Sequence, residues 1–478
     1  MSEEIHIPIL RLGQKYRSLD TVELPASAGR KVLTHTANPG LIRRDLLGIA
    51  KSRAALNEIP TDTLATYCEQ AAELFLHEEL PLGDSAQGPQ EYVESLSALT
   101  KLPHTLVRMN MGKIHAAMSQ IRTVIAGLTR GISLDLFDRG ISSLNDLEVN
   151  FYPVTDALGV SLPSNAPAVN SLWLPAPVLK IPVLLKPGRE DPFTPFRIVQ
   201  ALIAAGFPKE AFGFYPTTHE GGDTILMTCG RGISFGSDAT VRKYAAFPSI
   251  QVHGTGRSKV LIGEDFMGKW TEHARTLVES VSANGGRSCI NTSAILVPSG
   301  REEIADAIAQ ELAAIEPLPR DHEDALLCGF SNTEWAGSIN DLIDEHLKVA
   351  GAEDVTARYR KGPRLVEMHG QTYLRPTLIS CAHSDHPLAN TEFMFPFASV
   401  TEIPQERMLS EIGETLVASA WTEDPIWIRQ LMNSPDIERL NIGPFPTNRV
   451  QWEQPHEGNL FEFLYRRRAI QGNLAAVS

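Results

Sequence analysis

A parallel α/β sheet covered by helices is the fold class this sequence predicts, and three observations predict it. From residue 141 onward, short apolar runs alternate with helical patterns: 183–185, a helix after Thr194-Pro195, 213–215, 225–228 and 233–235. Strand–helix–strand alternation of this kind marks a sheet buried on both faces. Upstream, residues 43–130 read as helical, with Ile114, Met118, Ile121, Ile125 and Leu128 at helical spacing up to Gly131. Finally, 478 residues suffice for two or three domains with sizeable cores.

Taken in order, residues 5–12 predict a first strand, and the alternation over 147–154 and 159–162 predicts two more. Thr194 is read as an N-cap with Pro195 in the first helical turn. Residues 251–262 read as strand, Gly-rich turn and strand, followed by a helix over 269–282. Ser299-Gly300-Arg301-Glu302 reads as a capping box, with Ile304, Ile308 and Leu312 on the apolar face behind it. The tail from Gln451 carries Trp452, Phe461, Phe463 and Tyr465 beside Arg466-Arg467-Arg468. It reads as a surface for a partner subunit or as a solvated basic end.

A formal net charge of −14 argues against nucleic-acid or anionic-membrane partners, whose phosphates want a basic face. The five cysteines are scattered and no pair has metal-ligand spacing, so neither a metal site nor a disulfide framework is expected. A reducing, cytoplasmic home follows as the expectation. Glu3 and Glu4 deny the amino-terminal stretch the start of a signal peptide. The longest apolar region, 172–185, is broken by Pro175, Pro177, Lys180 and Pro182, so no membrane insertion is expected.

Chemistry concentrates at Ala283-Asn284-Gly285-Gly286-Arg287-Ser288-Cys289, between a predicted helix and the apolar run 294–297. A cysteine beside two glycines can be presented to a ligand by bare backbone, and its thiolate is a strong nucleophile. A buried small hydrophobe is the alternative fate of such a residue. Two loops follow predicted strands directly. Lys186-Pro187-Gly188-Arg189 sets a cation at the carboxyl edge of the sheet, where such sheets bind ligands. Phe235-Gly236-Ser237-Asp238 opens a helix whose free amides suit a phosphate, though Asp238 also reads as a plain N-cap. There is no G-x-G-x-x-G fingerprint at these turns.

Six segments, in this order, resemble the aldehyde dehydrogenase superfamily: Asn165-Ala166-Pro167, Lys186-Pro187, Gly206-Phe207-Pro208, Phe235-Gly236-Ser237, Asn284 with Gly286-Arg287-Ser288-Cys289, and Thr391-Glu392 with Phe395-Pro396. The likeness covers roughly residues 145–400. It implies a three-layer parallel-sheet cofactor domain plus a second α/β catalytic domain. The implied boundaries are 1–140 (the largely helical part of the cofactor-binding domain), 141–262 (the Rossmann-like domain), 263–450 (the catalytic domain) and 451–478 (a tail for oligomerisation). By the resemblance, Cys289 is the nucleophile and Asn165 stabilises the oxyanion of its adduct. Lys186 and Glu392 hold the two riboses of NAD or NADP, and Gly236 and Ser237 meet the pyrophosphate. A homodimer or homotetramer is likewise implied.

The Glu392 segment departs from the family's pattern, with Met394 and Phe395 where phenylalanine and glycine are expected, and two further departures sharpen the reading. Where hydrolytic members carry a glutamate base, this chain reads His253-Gly254-Thr255-Gly256-Arg257-Ser258; counted with or without a gap, the position is His253 or Thr255, not a carboxylate. Losing a base typically costs ~10²–10⁴-fold in water attack, whereas thiolysis by coenzyme A needs less help. The run and Asn165-Ala166-Pro167 also resemble the long-chain acyl-CoA reductases of bacterial luminescence. The expectation is therefore an NAD(P)-linked acyl-CoA reductase, with an aldehyde or acyl-CoA as substrate and coenzyme A as co-substrate. A hydrolytic enzyme with His253 as substitute base is the alternative, and a catalytically silent scaffold is a third reading. Second, Arg189 stands three places after the lysine, where NAD-selective members often carry an acid. An arginine there suits a 2′-phosphate, hence NADP tolerance or preference, although the adjacent Glu190 could substitute for the acid.

Overall fold

The computed structural model describes residues 4–27, 30–144 and 147–472, and the chain forms two compact units. Residues 1–3 and 473–478, part of the amino-terminal and tail readings, lie outside those described. The first unit is built from residues 1–99, 107–254 and 451–478, and the second from 100–106 and 255–450.

A seven-stranded sheet forms the first unit, in the order Ile250–His253, Gly230–Phe235, Ala157–Ser161, Val183–Lys186, Phe212–Phe214, Ile9–Arg11 and Gln14–Tyr16. Its first five strands are parallel, and the last two join antiparallel. The central strands are apolar and buried on both faces, as helical cover requires. From Ala157–Ser161 the chain winds outward through Val183–Lys186 and Phe212–Phe214. It then returns to Gly230–Phe235 on the other side. Strand order thus reverses at Ala157–Ser161, and ligands of open α/β sheets bind at the carboxyl ends beside such a reversal. Lys186 ends one neighbouring strand, and Gly236-Ser237 follows the other.

Three local expectations change. Residues 225–228 are not a strand but the end of the helix His219–Thr228. A four-residue apolar run cannot distinguish the two periodicities. Thr194 is not the N-cap, because the helix Phe193–Ala205 starts one residue earlier. Asp191 accepts from the Thr194 amide (2.9 Å), and the Thr194 hydroxyl bonds Tyr92 instead (2.7 Å). Ser299 does not cap its helix either. Gly300 holds the N-cap position at φ 71°, and Glu402 accepts from the Arg301 amide at 3.4 Å.

The second unit is another seven-stranded sheet, ordered Ala352–Asp354, Thr377–Cys381, Phe397–Glu402, Thr292–Val297, Ser258–Ile262, Thr415–Trp421 and Ile437–Ile442. All its pairings are parallel except the Ala352–Asp354 edge. Ser258–Ile262, expected in the first domain, sits at its centre, fully buried between Thr292–Val297 and Thr415–Trp421. The boundary therefore falls in the Gly-rich turn at 254–255 rather than at 262. Ile304, Ile308 and Leu312 pack under this sheet against Ile295 and Leu277.

The tail folds back on its own unit. Tyr465–Arg468 pairs antiparallel with Leu147–Pro153, and the Tyr465 hydroxyl donates to the Leu179 carbonyl at 2.6 Å. Phe461 stacks on Tyr465, with Phe137 edge-on to both, while Arg466, Arg467 and Arg468 are exposed. Among the described residues, no helix is long and apolar enough to cross a membrane.

Arg197 pins the helix that follows the Lys186 loop. It is buried and donates to the carbonyls of Phe75 (3.0 Å), Gln87 (2.7 Å) and Glu78 (2.6 Å). Replacing it by leucine strands three carbonyls, so Arg197→Leu should destabilise by about 3 kcal/mol. Differential scanning calorimetry checks this as a lowered first transition.

Candidate active site

Of the five cysteines, only Cys289 is half-exposed; Cys68, Cys229, Cys328 and Cys381 are buried. Burial pushes those four thiols up, away from the reactive thiolate. The loop before Cys289 is held rigidly. Asn284, Gly285 and Gly286 run left-handed at φ 52°, 63° and 70°. A Cβ on Gly286 would lie 2.3 Å from the backbone of Phe395 and Pro396, so only glycine fits there. Asn291 donates to the carbonyls of Ser280 (3.1 Å) and Ala283 (2.9 Å) and accepts from the Ser288 amide (2.9 Å). Arg287, buried, donates to the carbonyls of Thr100 (2.6 Å) and Gly329.

Glu392 joins Cys289 through the Gly-rich turn. One carboxylate oxygen of Glu392 accepts from the Arg257 amide at 2.7 Å. Neighbouring Gly256 presses against Cys289 so closely that a Cβ would sit 2.0 Å from the Cys289 carbonyl oxygen. The Ser258 hydroxyl donates to that same carbonyl at 2.8 Å. Cys289, Arg257 and Glu392 thus lie on the loops entering three adjacent parallel strands, Thr292–Val297, Ser258–Ile262 and Phe397–Glu402.

Burial raises the Glu392 carboxyl to about 7, against the pull of the Arg257 amide and charge. Its other oxygen is buried with no hydrogen-bond partner. Lys259, a buried cation the sequence reading passed over, donates to the Arg257 carbonyl (2.7 Å) and the Thr415 hydroxyl (2.9 Å). Burial lowers it to about 7. The result is a half-exposed cysteine in a fixed loop, packed beside Ile290, Leu416 and Val417, with a buried carboxyl bonded to the neighbouring turn and one carboxyl oxygen without a hydrogen bond.

The other six predicted site residues all lie in the first unit, on or beside the carboxyl edge of its sheet. Asn165 is half-buried in the bend after Ala157–Ser161. Lys186 donates to the Pro187 carbonyl at 3.3 Å, and burial lowers its pKa. The Glu190 amide donates to the Ser164 hydroxyl (3.0 Å), tying the lysine loop to the Asn165 segment, while Arg189 is exposed. Ser237 rather than Asp238 takes the N-cap position of Asp238–Tyr244, and its hydroxyl makes no capping bond. Gly236 is exposed beside it.

His253 ends the strand Ile250–His253, buried, with its Nδ1 against the Glu457 carboxylate. The His456 ring stacks on it at 5.9 Å. Sequence reading missed His456 and Glu457, and its expectation of no metal-ligating cluster rested on cysteine spacing alone. The His-Glu pair in the tail was the available signal.

Residues 111–459 match the model of the aldehyde dehydrogenase family. A Staphylococcus haemolyticus protein bearing the aldehyde dehydrogenase name is 26% identical over 229 residues, 46% of this chain and 47% of its own length. The chain thus spans about half of that relative. Among solved structures, an aldehyde dehydrogenase of Pseudomonas aeruginosa superposes at TM-score 0.79 and 15% identity, covering 98% of this chain and 96% of its own. An indole-3-acetaldehyde dehydrogenase of P. syringae, solved with NAD+, gives 0.77 and 15%, covering 97% and 96%. At these identities the structural likeness speaks for the fold alone.

Glu392 sets a pH dependence. Its folded pKa of about 7 stands above the ordinary 4.5, so the folded state binds the extra proton between them. The stability it contributes is full below about 4.5 and is lost as pH rises through about 7. Glu392→Gln should therefore gain on the wild type steadily across that window. Denaturant midpoints of both proteins at pH 5, 6 and 7 check this.

Proposed function

Since the chain belongs to the aldehyde dehydrogenase family, we propose that it moves hydride between a nicotinamide cofactor and an aldehyde or acyl group held as a thioester on Cys289, with coenzyme A as the acyl partner. The half-exposure of Cys289, alone among five cysteines, in a loop clamped by Gly256 and Phe395–Pro396, carries this reading. The residues fit the cofactor: Lys186 beside the strand-order reversal suits a ribose, and the unpartnered, buried Glu392 oxygen suits a ribose hydroxyl. When bound, the nicotinamide accepts or returns the hydride.

The Cys289 thiolate adds to the aldehyde carbonyl carbon, forming a C–S bond and an oxyanion that Asn165 would hold by a hydrogen bond. Loss of hydride from that carbon leaves the thioester. Coenzyme A thiolate then attacks the acyl carbon, and Cys289 departs as thiolate. In the reducing direction the steps reverse, and the adduct expels Cys289 to release aldehyde. Thiolysis suits a chain that by the resemblance carries His253 or Thr255, not a carboxylate, at the base position of hydrolytic members, because a thiol reaches its nucleophilic form unaided.

One observation favours the hydrolytic alternative. A carboxylate facing Nδ1, as Glu457 does on His253, orients an imidazole for base work. Arg189, exposed beyond Lys186, supports NADP as the cofactor. Assembly as a homodimer or homotetramer belongs to the same proposal.

Aldehyde plus NADP+ should give acyl-CoA only when coenzyme A is present; carboxylate formed equally well without it would reject the acylating route. Cys289→Ser should lower turnover on the order of 10³-fold or more, and an unchanged rate would reject the nucleophile. Arg189→Ala should raise the KM for NADP roughly tenfold while leaving that for NAD unchanged, as steady-state kinetics with both cofactors will show.

A further inference from the structure

The cluster at His253, His456 and Glu457 has no part in the hydride chemistry proposed above. We propose that it is a divalent transition-metal site, of the kind zinc occupies, tying the chain's tail to the edge strand of the first unit's sheet. Its three candidate ligand atoms, two imidazole nitrogens and one carboxylate oxygen, all lie within 4.8 Å of one another. Ligands 2.0–2.2 Å from a tetrahedral zinc stand about 3.4 Å apart, so an ion between them would spread the His253–Glu457 contact and draw the more distant ligand in.

The second observation is polar and independent of spacing. His253 is only 6% exposed; its Nδ1 meets the buried Oε2 of Glu457, while its Nε2 has no hydrogen-bond partner at all. Leaving buried polar atoms unpaired is costly, and a bound ion satisfies a ring nitrogen and the carboxylate together. Neutral imidazole and carboxylate are the donors of two-histidine, one-carboxylate sites, which select transition metals over magnesium or calcium.

The surroundings hold the cluster in place. His253 is the last residue of Ile250–His253, and Phe235 packs on its ring at 4.8 Å. The Gln251 side-chain amide donates to the Glu457 carbonyl, fixing the tail against the same strand. Gly236 donates its amide to the His253 carbonyl at 3.1 Å, so the strand end bearing the ligand is itself anchored. Three protein ligands leave a fourth position for water. An imidazole that holds a metal has no lone pair to spare for base work, so occupancy of this site would divert His253 from the hydrolytic route. The site itself does not depend on which acyl acceptor is used.

The test uses the whole 478-residue chain without a tag. After dialysis against a chelator, it is titrated with cobalt(II) and with zinc(II) and followed by absorption spectroscopy and calorimetry. One equivalent should bind, with the weak d–d bands of nitrogen and oxygen ligands and a rise in the first thermal transition. Glu457→Gln and His456→Gln should each weaken binding tenfold or more. Their folding is verified by circular dichroism, and either variant alone suffices to decide. Binding of equal strength in both folded variants, or no stoichiometric binding in the wild type, overturns the proposal. So does a thiolate-to-cobalt charge-transfer band, which would put the metal on a cysteine. Because the readouts are binding and stability, they stand whether or not the acyl-CoA assay succeeds.

Discussion

The closest constraint in the second unit is the approach of Gly256 to the Cys289 carbonyl. Two backbones meet there with no room for a side-chain carbon. The loop carrying the thiol and the turn entering Ser258–Ile262 therefore cannot move independently. Glu392 fastens the arrangement from the third side through the Arg257 amide, and Ser258 adds a hydroxyl bond to the same carbonyl. A nucleophile needs this. Attack geometry is lost with displacements of about an ångström, and loops are the parts of a fold least able to hold a position unaided. Here the rigidity comes from three adjacent parallel strands whose entering loops are bonded to one another.

Electrostatics follow from the same packing. Driving Glu392 and Lys259 out of water moves both toward neutrality from opposite sides, each to about 7. Near neutral pH the two share a small local field in place of two full charges, and a carboxyl in that condition either donates or accepts a hydrogen bond. A ribose hydroxyl, itself donor and acceptor, matches such a group in both states. In the first unit the equivalent economy lies in topology. The reversal of strand order at Ala157–Ser161 opens the sheet edge where Lys186 and Ser237 stand, without any glycine-rich dinucleotide fingerprint.

Much of this was legible in the sequence. The helical stretch ending near Gly131 and the alternation after residue 141 carried the fold class, since long periodic segments constrain one solution. Cys289 stood out because Gly285 and Gly286 precede it between a helical pattern and an apolar run. What stayed hidden was non-local. Residues 225–228 were too few to reveal a period, and Thr194 lost its capping role to Asp191, three residues before it and held inside the core. The strand Ser258–Ile262 went to the wrong domain because a Gly-rich turn looks the same whether it joins neighbours in one sheet or crosses to another. Lys259 was invisible as a buried cation because its two partners, a backbone carbonyl and a threonine hydroxyl, leave no pattern in the chain.

His253 shows most clearly how one position can be read twice. By the resemblance it is, with Thr255, one of two positions that answer to the carboxylate base of hydrolytic members, and the natural question is whether imidazole replaces that base. In the structure it belongs to the tail's His456 and Glu457 as much as to its own strand. A general base needs a free lone pair and a path to water; a buried ring beside a carboxylate and a second imidazole offers its lone pair to whatever bridges them. His253 is thus best explained by what the tail brings to it. That explanation also accounts for why a strand at the sheet's edge ends in a histidine only 6% exposed, with a carboxylate against its Nδ1 and no hydrogen bond to its Nε2. Packing alone would have favoured an apolar side chain at such a place, at no cost in unpaired polar atoms.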